Sequence, residues 1–173
     1  MGADLVVVAN TGDDVEVYGG HVSPDPDLIL YWLADRIDER GWGLRGDTFH
    51  VMDGLREIGA DPWFSLGDRD LSVALQRRRR LEEGARLTET LAELARALGV
   101  AARVLPMSDD PVRTRVRHAG RWWSFQEYMI RAGARGPVDE VVFEGADRAK
   151  PTGEVVDAVS RARAIVIGPS NPV

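Results

Sequence analysis

A short apolar run at residues 5–9 constrains the fold of this chain more than any other feature of its sequence. Its residues are Leu-Val-Val-Val-Ala, and the polar run Asn10-Thr11-Gly12-Asp13-Asp14 follows it directly. Consecutive apolar, mostly β-branched residues that end in Asn, Gly and Asp are typical of a strand that is buried on both faces before it enters a loop. The sequence therefore predicts a strand of a parallel sheet at residues 5–9.

Predicted helices and strands alternate along the rest of the chain. Apolar spacing and capping residues predict helices at about residues 28–41, 48–58, 71–83, 88–98 and 153–161. Further strands are expected at residues 100–105, 138–143 and 164–167, with a strand-like stretch at 63–66 and a hairpin whose arms are 113–118 and 121–125. This alternation predicts an α/β fold with a mainly parallel sheet, in a single domain that spans residues 1–173.

Charge and composition exclude several classes of protein. The formal net charge is −6, and the basic run at residues 77–80 is followed by Glu82 and Glu83, so we interpret it as a solvated helix end and expect no nucleic-acid partner. The chain has no cysteine, so any metal must be held by oxygen or imidazole ligands. The apolar runs are far shorter than the roughly 20 residues that a membrane helix needs. We therefore expect a cytoplasmic protein with no membrane partner.

The candidate site follows from where ligands bind in α/β sheets. They occupy the crevice beyond the carboxyl ends of the strands. Polar runs follow four strand-like segments, and we expect them to converge on one rim of the sheet. These runs are Asn10–Asp14, Gly67–Asp70, Ser108–Asp110 and Ser170-Asn171.

Paired carboxylates indicate a divalent cation at this rim. They occur at Asp13-Asp14, at Asp25 with Asp27, and at Asp109-Asp110. Carboxylate oxygens are ligands that suit magnesium, which also accepts phosphate oxygens and water. Asp13 and Asp109 come straight after strands, so a functional role is favoured for both. For Asp27, and for Asp70, helix capping explains the residue as well as function does.

Other polar residues of these runs could contact a phosphorylated ligand. Gly12 would let the backbone pass close to a phosphate, and Ser170 and Asn171 could donate hydrogen bonds to a nucleotide. Arg69 is either an ion-paired structural residue or a bidentate donor to phosphate or carboxylate. The chain contains no P-loop and no dinucleotide-binding glycine motif. The residues alone leave two classes open: a metal-dependent transferase that acts on a nucleoside diphosphate compound, and a binding module without chemistry.

Taken together and in order, the motifs of this chain resemble those of the 2-phospho-L-lactate transferase family, which makes the deazaflavin coenzyme F420. The resemblance covers nearly the whole chain. It is carried by Asn10-Thr11-Gly12-Asp13-Asp14, His21-Val22-Ser23-Pro24-Asp25, Asp47-Thr48-Phe49, Gly67-Asp68-Arg69-Asp70-Leu71, Leu105-Pro106-Met107-Ser108-Asp109-Asp110, Phe125-Gln126-Glu127-Tyr128 and Pro169-Ser170-Asn171-Pro172.

The resemblance implies an activity. A 2-phospholactyl or phosphoenolpyruvyl group would pass from a guanosine diphosphate adduct to 7,8-didemethyl-8-hydroxy-5-deazariboflavin, and GMP would leave. Magnesium is the implied cofactor, and family members are expected to be homodimers. The implied fold is a Rossmann-like, mainly parallel sheet with helices on both faces. It would be incomplete here, because the family's first βα unit with its glycine-rich loop and its C-terminal region have no counterpart in the chain.

The resemblance also implies roles for single residues. Asp13, Arg69 and Asp109 would be catalytic, and Asp13 and Asp27 would bind metal. The implied substrate-binding residues are Asn10, Thr11, Gly12, Asp25, Asp27, Asp68, Ser108, Asp110, Ser170 and Asn171.

Two departures from the family pattern weigh on these expectations. Val73 and Ala74 stand where family members usually carry Thr and His. Without the first family strand, the sheet would have unpaired edges, so we expect poor solubility or association of the isolated chain. The alternative interpretation is a noncatalytic nucleotide or sugar-phosphate binding regulator on the same fold, or an inactive fragment.

Overall fold

The computed structural model describes residues 5–168, in which seven strands and six helices are formed. The strands are β1 (Val6–Ala9), β2 (Val15–Val17), β3 (Gly20–Val22), β4 (Arg103–Pro106), β5 (Arg113–His118), β6 (Arg121–Ser124) and β7 (Glu140–Glu144). The helices are α1 (Pro24–Leu33), α2 (His50–Glu57), α3 (Asp68–Glu82), α4 (Leu87–Leu98), α5 (Phe125–Ile130) and α6 (Gly153–Arg161).

A parallel pair of strands, β1 and β4, positions the loops of the candidate site. Val6 pairs with Arg103 and Ala9 with Pro106, so the carboxyl ends of both strands lie at the same edge. Helices α1 and α4 pack on this pair through one apolar cluster, because transfer of their apolar side chains out of water is favourable. Its buried members are Ala9, Leu30, Leu91, Ala95 and Val104. The predicted α/β class is confirmed, and a parallel strand forms at Val6–Ala9. The prediction that this strand is buried on both faces is wrong, because Val8 is 41% exposed.

The other described strands pair in antiparallel fashion. Strands β6, β5 and β7 form a three-stranded sheet in that order, and β2 and β3 form a hairpin. The predicted hairpin of β5 and β6 is confirmed, and Ala119 and Gly120 both have positive φ at its tip, as a two-residue primed turn requires. Three of the four described strand pairs are antiparallel, and they belong to sheets separate from that of β1 and β4. The described parallel sheet therefore has two strands, fewer than the sequence pattern indicated.

Helix α1 ends earlier than predicted. It stops at Leu33 rather than near residue 41, because Asp35 adopts a left-handed conformation with φ of 53°. The backbone N–H of Arg36 then donates to the carbonyl of Tyr31, and that of Asp35 donates to Trp32, which satisfies two terminal carbonyls of the helix. The chain continues into a short bridge between Ile37 and Leu44 instead of a further helical turn.

Two segments predicted as extended strands form no β-ladder with another strand among residues 5–168. Residues 164–167 form no strand, and Val166 and Ile167 are 89% and 94% exposed. A strand forms only when its N–H and C=O groups find a neighbouring strand, and the described part of the chain offers none here. Residues 63–66 are also irregular, and the rings of Trp63 and Phe64 stack with centroids 5.5 Å apart. Both strand predictions are therefore wrong.

Burial corrects the interpretation of the basic run in α3. Arg77 is only 3% exposed, whereas Arg78 and Arg80 form ion pairs at the surface with Glu82 and Glu83. The side chains of consecutive helical residues point in different directions, so one of the four arginines faces the interior.

In the part of the chain that the structure describes, no helix combines the length and apolar character that crossing a bilayer requires.

Candidate active site

A cleft of about 360 Å³ lies beside the loop that follows β1. We call it the Asp13 cleft. Its walls come from this loop, from β2 and β5, from Glu144 at the end of β7, from Trp63, and from Ser124 with the first turn of α5. Pockets of this size accommodate small-molecule ligands. The carboxyl end of β1 thus opens onto a concave surface, as the α/β rule predicts.

The loop of the cleft is held in a tight turn by its own side chains. The amide oxygen of Asn10 accepts a hydrogen bond from the Gly12 N–H at 2.9 Å, and its amide nitrogen donates to Asp25 at 3.1 Å. The Gly12 carbonyl accepts from the backbone of Thr114 at 2.6 Å. A Cβ at position 12 would lie 3.0 Å from both Asn10 Oδ1 and Thr114 Oγ1. This close approach explains why glycine stands here.

Asp13 and Asp14 are both buried and both border the cleft, and the Oδ1 atom of Asp14 has no hydrogen-bond partner within residues 5–168. Asp14 Oδ2 accepts a hydrogen bond from the Ser23 hydroxyl at 2.7 Å and lies 2.9 Å from His21 Nε2. Thr11, three residues before Asp14 in the same loop, is 1% exposed, and its hydroxyl has no hydrogen-bond partner within residues 5–168. A buried hydroxyl without a partner is uncommon in native proteins, and a bound ion or water is one explanation for it.

Asp27 forms a buried ion pair with Arg77. The guanidinium donates to both carboxylate oxygens, with Nη1 3.0 Å from Oδ2, and Nη1 also donates to the backbone carbonyl of His21 at 2.9 Å. Burial alone would lower the pKa of Arg77, but the adjacent Asp27 carboxylate outweighs burial and raises it. Because both oxygens of Asp27 already accept hydrogen bonds, this geometry favours a structural role over the predicted metal-binding one.

His21 connects the β1 loop to the opposite wall of the cleft. Its Nε2 faces Asp14, its Nδ1 lies 3.3 Å from Glu16 Oε1, and Glu16 Oε1 in turn accepts from Arg113 Nη2 at 2.6 Å. The hydrogen bond from His21 and the charge of Arg113 lower the pKa of Glu16 to about 2. The sequence did not predict these contacts. The three histidines of the chain lack ligand spacing, and Arg113 lies 97 residues beyond Glu16, so only the tertiary fold brings them together.

Asp25 is the remaining predicted carboxylate near the loop. It is partly buried and accepts from the Asn10 amide. Burial raises its pKa, and the neighbouring charge of Asp14 acts in the same direction. The structure thus brings Asn10, Thr11, Gly12, Asp13 and Asp25 together at the end of β1.

The polar run after β4 lies at the same edge but outside the cleft lining. Asp109 Oδ1 accepts from the backbone N–H and the hydroxyl of Thr88, each at 2.8 Å, and so caps the first turn of α4. The Ser108 hydroxyl donates to the carbonyl of Lys150 at 2.7 Å, and Asp110 accepts from the Lys150 N–H at 2.9 Å. All three predicted residues hold neighbouring segments in place.

The polar run before α3 exchanges helix caps with α2. Asp68 accepts from the backbone N–H groups of His50 and Val51, and Asp47 accepts from those of Arg69 and Asp70. Asp47 therefore caps α3 rather than the predicted helix at residues 48–58 that directly follows it. The Arg69 side chain is exposed. Neither Asp68 nor Arg69 lines the Asp13 cleft.

Asp70 carries the most perturbed carboxyl group at this end of α3. Its Oδ1 accepts from the Tyr31 hydroxyl at 2.8 Å. Burial, assisted by the negative charge of Asp27, raises the pKa of Asp70 to about 6.

Ser170 and Asn171, predicted to contact a nucleotide, lie outside the described residues.

The oxygen donors of the β1 loop fit the predicted magnesium, although residues 5–168 contain no group of three or more carboxylate or imidazole side chains arranged to hold a metal ion. Magnesium usually keeps several waters and takes only one or two protein carboxylates together with phosphate oxygens. Asp13 and the unpartnered hydroxyl of Thr11 offer such a sparse set of hard oxygen donors.

Comparison with known proteins identifies close sequence relatives. The family model described as 2-phospho-L-lactate transferase CofD matches residues 1–173. The chain is 38% identical over 172 residues to the 2-phospho-L-lactate transferase of Methanospirillum hungatei, covering 99% of the chain and 58% of that protein. It is 39% identical over 176 residues to the phosphoenolpyruvate transferase of Kitasatospora aureofaciens, covering 98% of the chain and 55% of that protein. The chain thus spans about half the length of these curated relatives.

A solved structure shares the fold at low sequence identity. Protein BH3568 from Bacillus halodurans superposes with a TM-score of 0.53 at 17% identity, over 95% of this chain and 50% of that one. At this identity the likeness establishes the α/β fold and carries nothing about activity.

Proposed function

This chain belongs to the 2-phospho-L-lactate transferase family, and from that premise we propose that it carries the acceptor-side half of a transferase site used in coenzyme F420 biosynthesis. The transferred group is 2-phospholactyl or phosphoenolpyruvyl. Its donor is a guanosine diphosphate adduct, and its acceptor is 7,8-didemethyl-8-hydroxy-5-deazariboflavin. The observation that carries the proposal is Asp13, buried at the carboxyl end of β1 and bordering a cleft of about 360 Å³.

The proposed step is an in-line displacement at phosphorus. The terminal hydroxyl oxygen of the acceptor's ribityl chain forms a bond to the phosphorus nearer the three-carbon group, and the bond from that phosphorus to the GMP oxygen breaks. The hydroxyl proton passes to a carboxylate, a role that we assign to Asp13. Such reactions depend mainly on positioning and on neutralising phosphate charge.

The chemistry of the cleft walls supports this assignment. Trp63 and Phe125 provide aromatic surface that suits a flat heterocycle, and Arg113 and Arg115 provide guanidinium groups that suit phosphate. Magnesium, held by Asp13 and the Thr11 hydroxyl, would neutralise the charge on the diphosphate. Asp27, with both oxygens bound to Arg77, is not included in this proposed ligand set.

We further propose that the protein acts in the cytoplasm as a homodimer. Its partners would be the two small-molecule substrates, without nucleic acid or membrane.

A transfer assay with matched variants tests this function. The chain is incubated with the deazaflavin, a lactyl or enolpyruvyl guanosine diphosphate donor and magnesium, and the charged product is detected by mass spectrometry. We expect Asp13→Asn to lower the rate by about 100-fold or more. Asp109→Asn, which alters the equivalent carboxylate after β4, serves as the control and retains most of the rate. Absence of product with either donor would contradict transferase activity of this chain.

One contact favours the alternative of a noncatalytic binding protein. Ala74 stands where relatives were expected to carry His, and a Cβ at Gly20 would lie only 2.8 Å from the Ala74 Cβ. Ala74 is therefore packed closely against Gly20 of β3. Nucleotide or deazaflavin binding at micromolar affinity without turnover, measured by calorimetry, would support this second function over the first.

A further inference from the structure

Four side chains of alternating charge run from the end of β1 to the far wall of the Asp13 cleft. We call them the His21 network: Asp14, His21, Glu16 and Arg113. Successive contacts measure 2.9 Å from Asp14 Oδ2 to His21 Nε2, 3.3 Å from His21 Nδ1 to Glu16 Oε1, and 2.6 Å from Glu16 Oε1 to Arg113 Nη2. The sequence assigned no individual role to any of the four, although Asp14 belongs to one of the paired carboxylates.

The contacts of both ring nitrogens favour the protonated imidazole. Each ring nitrogen of His21 faces a carboxylate oxygen, and an ionised carboxylate can only accept hydrogen bonds. Only the doubly protonated imidazolium donates at both nitrogens, so either neutral tautomer would place a nitrogen lone pair against an oxygen lone pair. The contacts with Asp14 and Glu16 accordingly raise the pKa of His21, although its burial acts in the opposite direction.

The other charged groups around His21 modify this state without reversing it. Arg77 approaches from α3, where its Nη1 donates to the His21 backbone carbonyl, and its charge opposes protonation. Arg113 approaches from β5 through Glu16. With the proton present, the His21 network has two positive and two negative groups. Without it, two carboxylates face one guanidinium.

Arg113 has donors left for a ligand at the cleft wall. Its Nη2 donates to Glu16 and its Nη1 to the carbonyl of Val112, which leaves further N–H groups of the guanidinium. Arg115 stands two residues along β5, on the same face, and borders the same cleft. Its contact with Glu144 is long, at 3.8 Å. Two guanidinium groups on one wall suit the oxygens of a phosphate or a similar oxyanion.

We propose that His21 is a positioning residue that, as an imidazolium, holds Glu16 and through it sets Arg113 at the cleft wall, where Arg113 and Arg115 bind an oxyanion of the substrate. The proposal rests on the proposed function only for the identity of that oxyanion, which would be a phosphate of the donor. Loss of the His21 proton leaves Arg113, paired with Glu16 at 2.6 Å, as the remaining positive group of the His21 network. The network then carries one more negative charge, which weakens the attraction of the cleft wall for the bound oxyanion.

Sulfate is a suitable probe because its charge stays constant between pH 5.5 and 9.5. The whole chain, labelled with ¹⁵N, is titrated with sulfate at constant ionic strength, and the amide signals of Gly12 and Thr114 report binding. We expect the sulfate affinity to fall about five- to tenfold as His21 deprotonates. Imidazole ¹H–¹⁵N spectra recorded on the same samples should show N–H groups at both nitrogens of His21 at pH 6.

Three variants locate the effect. Arg113→Lys should weaken sulfate binding about tenfold, because a point charge replaces a planar donor, whereas Arg117→Lys, on the same strand face beyond the cleft lining, should leave it unchanged. His21→Gln should bind sulfate weakly and without dependence on pH. If that variant does not fold, Glu16→Gln at a half-exposed side chain serves instead and should abolish most of the pH dependence.

Several outcomes would overturn the proposal. They are a single N–H on His21 at pH 6, sulfate binding that is indifferent to Arg113→Lys, and the same pH dependence in His21→Gln or Glu16→Gln as in the unaltered chain. Neither substrate is present in these measurements. A chain with the expected sulfate profile but no transfer would therefore refute the proposed function and leave the role of His21 standing.

Discussion

Two Asp-Asp pairs in this molecule follow neighbouring parallel strands, and their carboxylates have different surroundings. Asp13-Asp14 follows β1 and borders the cleft, whereas Asp109-Asp110 follows β4 and lies outside the cleft lining. Asp109 caps α4, and Asp110 holds the backbone of Lys150. Location at the carboxyl edge of a parallel sheet is therefore insufficient to identify a site residue. Access to the cleft is the observation that separates Asp13 from Asp109.

The neighbouring helix termini explain this difference. Helix α4 precedes β4 in the chain and packs on it, so its first turn and its unpaired N–H groups lie beside Asp109. Helix α1 begins near the other pair, but Pro24 and Pro26 in its first turn have no N–H to be capped. Its N-cap residue Ser23 donates its hydroxyl to Asp14 instead of capping the helix.

The largest expected effect distinguishes the second aspartates of the two pairs, Asp14 and Asp110. Replacing Asp14 by Ala leaves the His21 imidazolium and the Ser23 hydroxyl buried without their acceptor, so we expect a loss of about 3–4 kcal/mol in the free energy of unfolding. Asp110→Ala removes one hydrogen bond to an exposed backbone N–H and should cost about 1 kcal/mol or less. Urea unfolding measures both values. An equal or reversed ranking would remove the distinction between the two loops.

A smaller effect is expected for the capping residue of the second pair. Asp109→Ala removes the acceptor for the Thr88 N–H and hydroxyl and should cost about 1–2 kcal/mol, with faster hydrogen exchange at the first turn of α4. Asp109→Asn keeps one oxygen acceptor and should cost less than half as much. A stable Asp109→Asn variant that has lost transfer activity would instead support the catalytic role predicted from the sequence.

Local patterns predicted the elements whose conformation depends on local sequence. Helix α4 and the hairpin of β5 and β6 were predicted to within one or two residues, because an apolar stripe and a turn dipeptide encode them. The end of α1 was missed, since it depends on one left-handed Asp, and residues 164–167 were wrongly predicted as a strand because strand formation requires a partner.

The candidate site was predicted less completely than the fold. The turn at residues 10–14 was identified, because polar residues directly after a buried strand mark the edge where ligands bind. The His21 network was not identified, since its members come from a hairpin and a distant strand that only tertiary folding brings together.

A glycine substitution tests how tightly the first loop is built. A methyl group at Gly12 would meet two side-chain oxygen atoms at 3.0 Å, so we expect Gly12→Ala to cost about 1 kcal/mol and to weaken ligand binding at the Asp13 cleft. Gly153→Ala, where a Cβ meets nothing within 4 Å at the start of α6, is the matched control and should be neutral or slightly stabilising. Thermal unfolding of both variants gives the comparison. Equal stability of the two would show that the loop adapts without cost.

The smallest expected effect is the pH dependence that His21 gives to the first loop. Because the folded-state pKa of His21 is raised above its ordinary value, its stabilising contribution is fully present below about pH 6.5 and is lost as pH rises through the folded-state pKa. Glu16 acts with the opposite sign: its lowered pKa gives a contribution that is present above about pH 4.5 and lost as pH falls toward 2. The two together stabilise the fold most between these limits.

His21→Gln isolates the alkaline side of this window. We expect the stability of the unaltered chain to fall by about 1 kcal/mol more than that of His21→Gln between pH 6.5 and 9.5, as measured by urea unfolding at each pH. Asp109→Asn, with His21 intact, should follow the unaltered chain, because the capping carboxylate of the second loop lies outside the His21 network. Parallel curves for His21→Gln and the unaltered chain would show that folding leaves the pKa of His21 unchanged, so that its contacts with Asp14 and Glu16 add no pH-dependent stability.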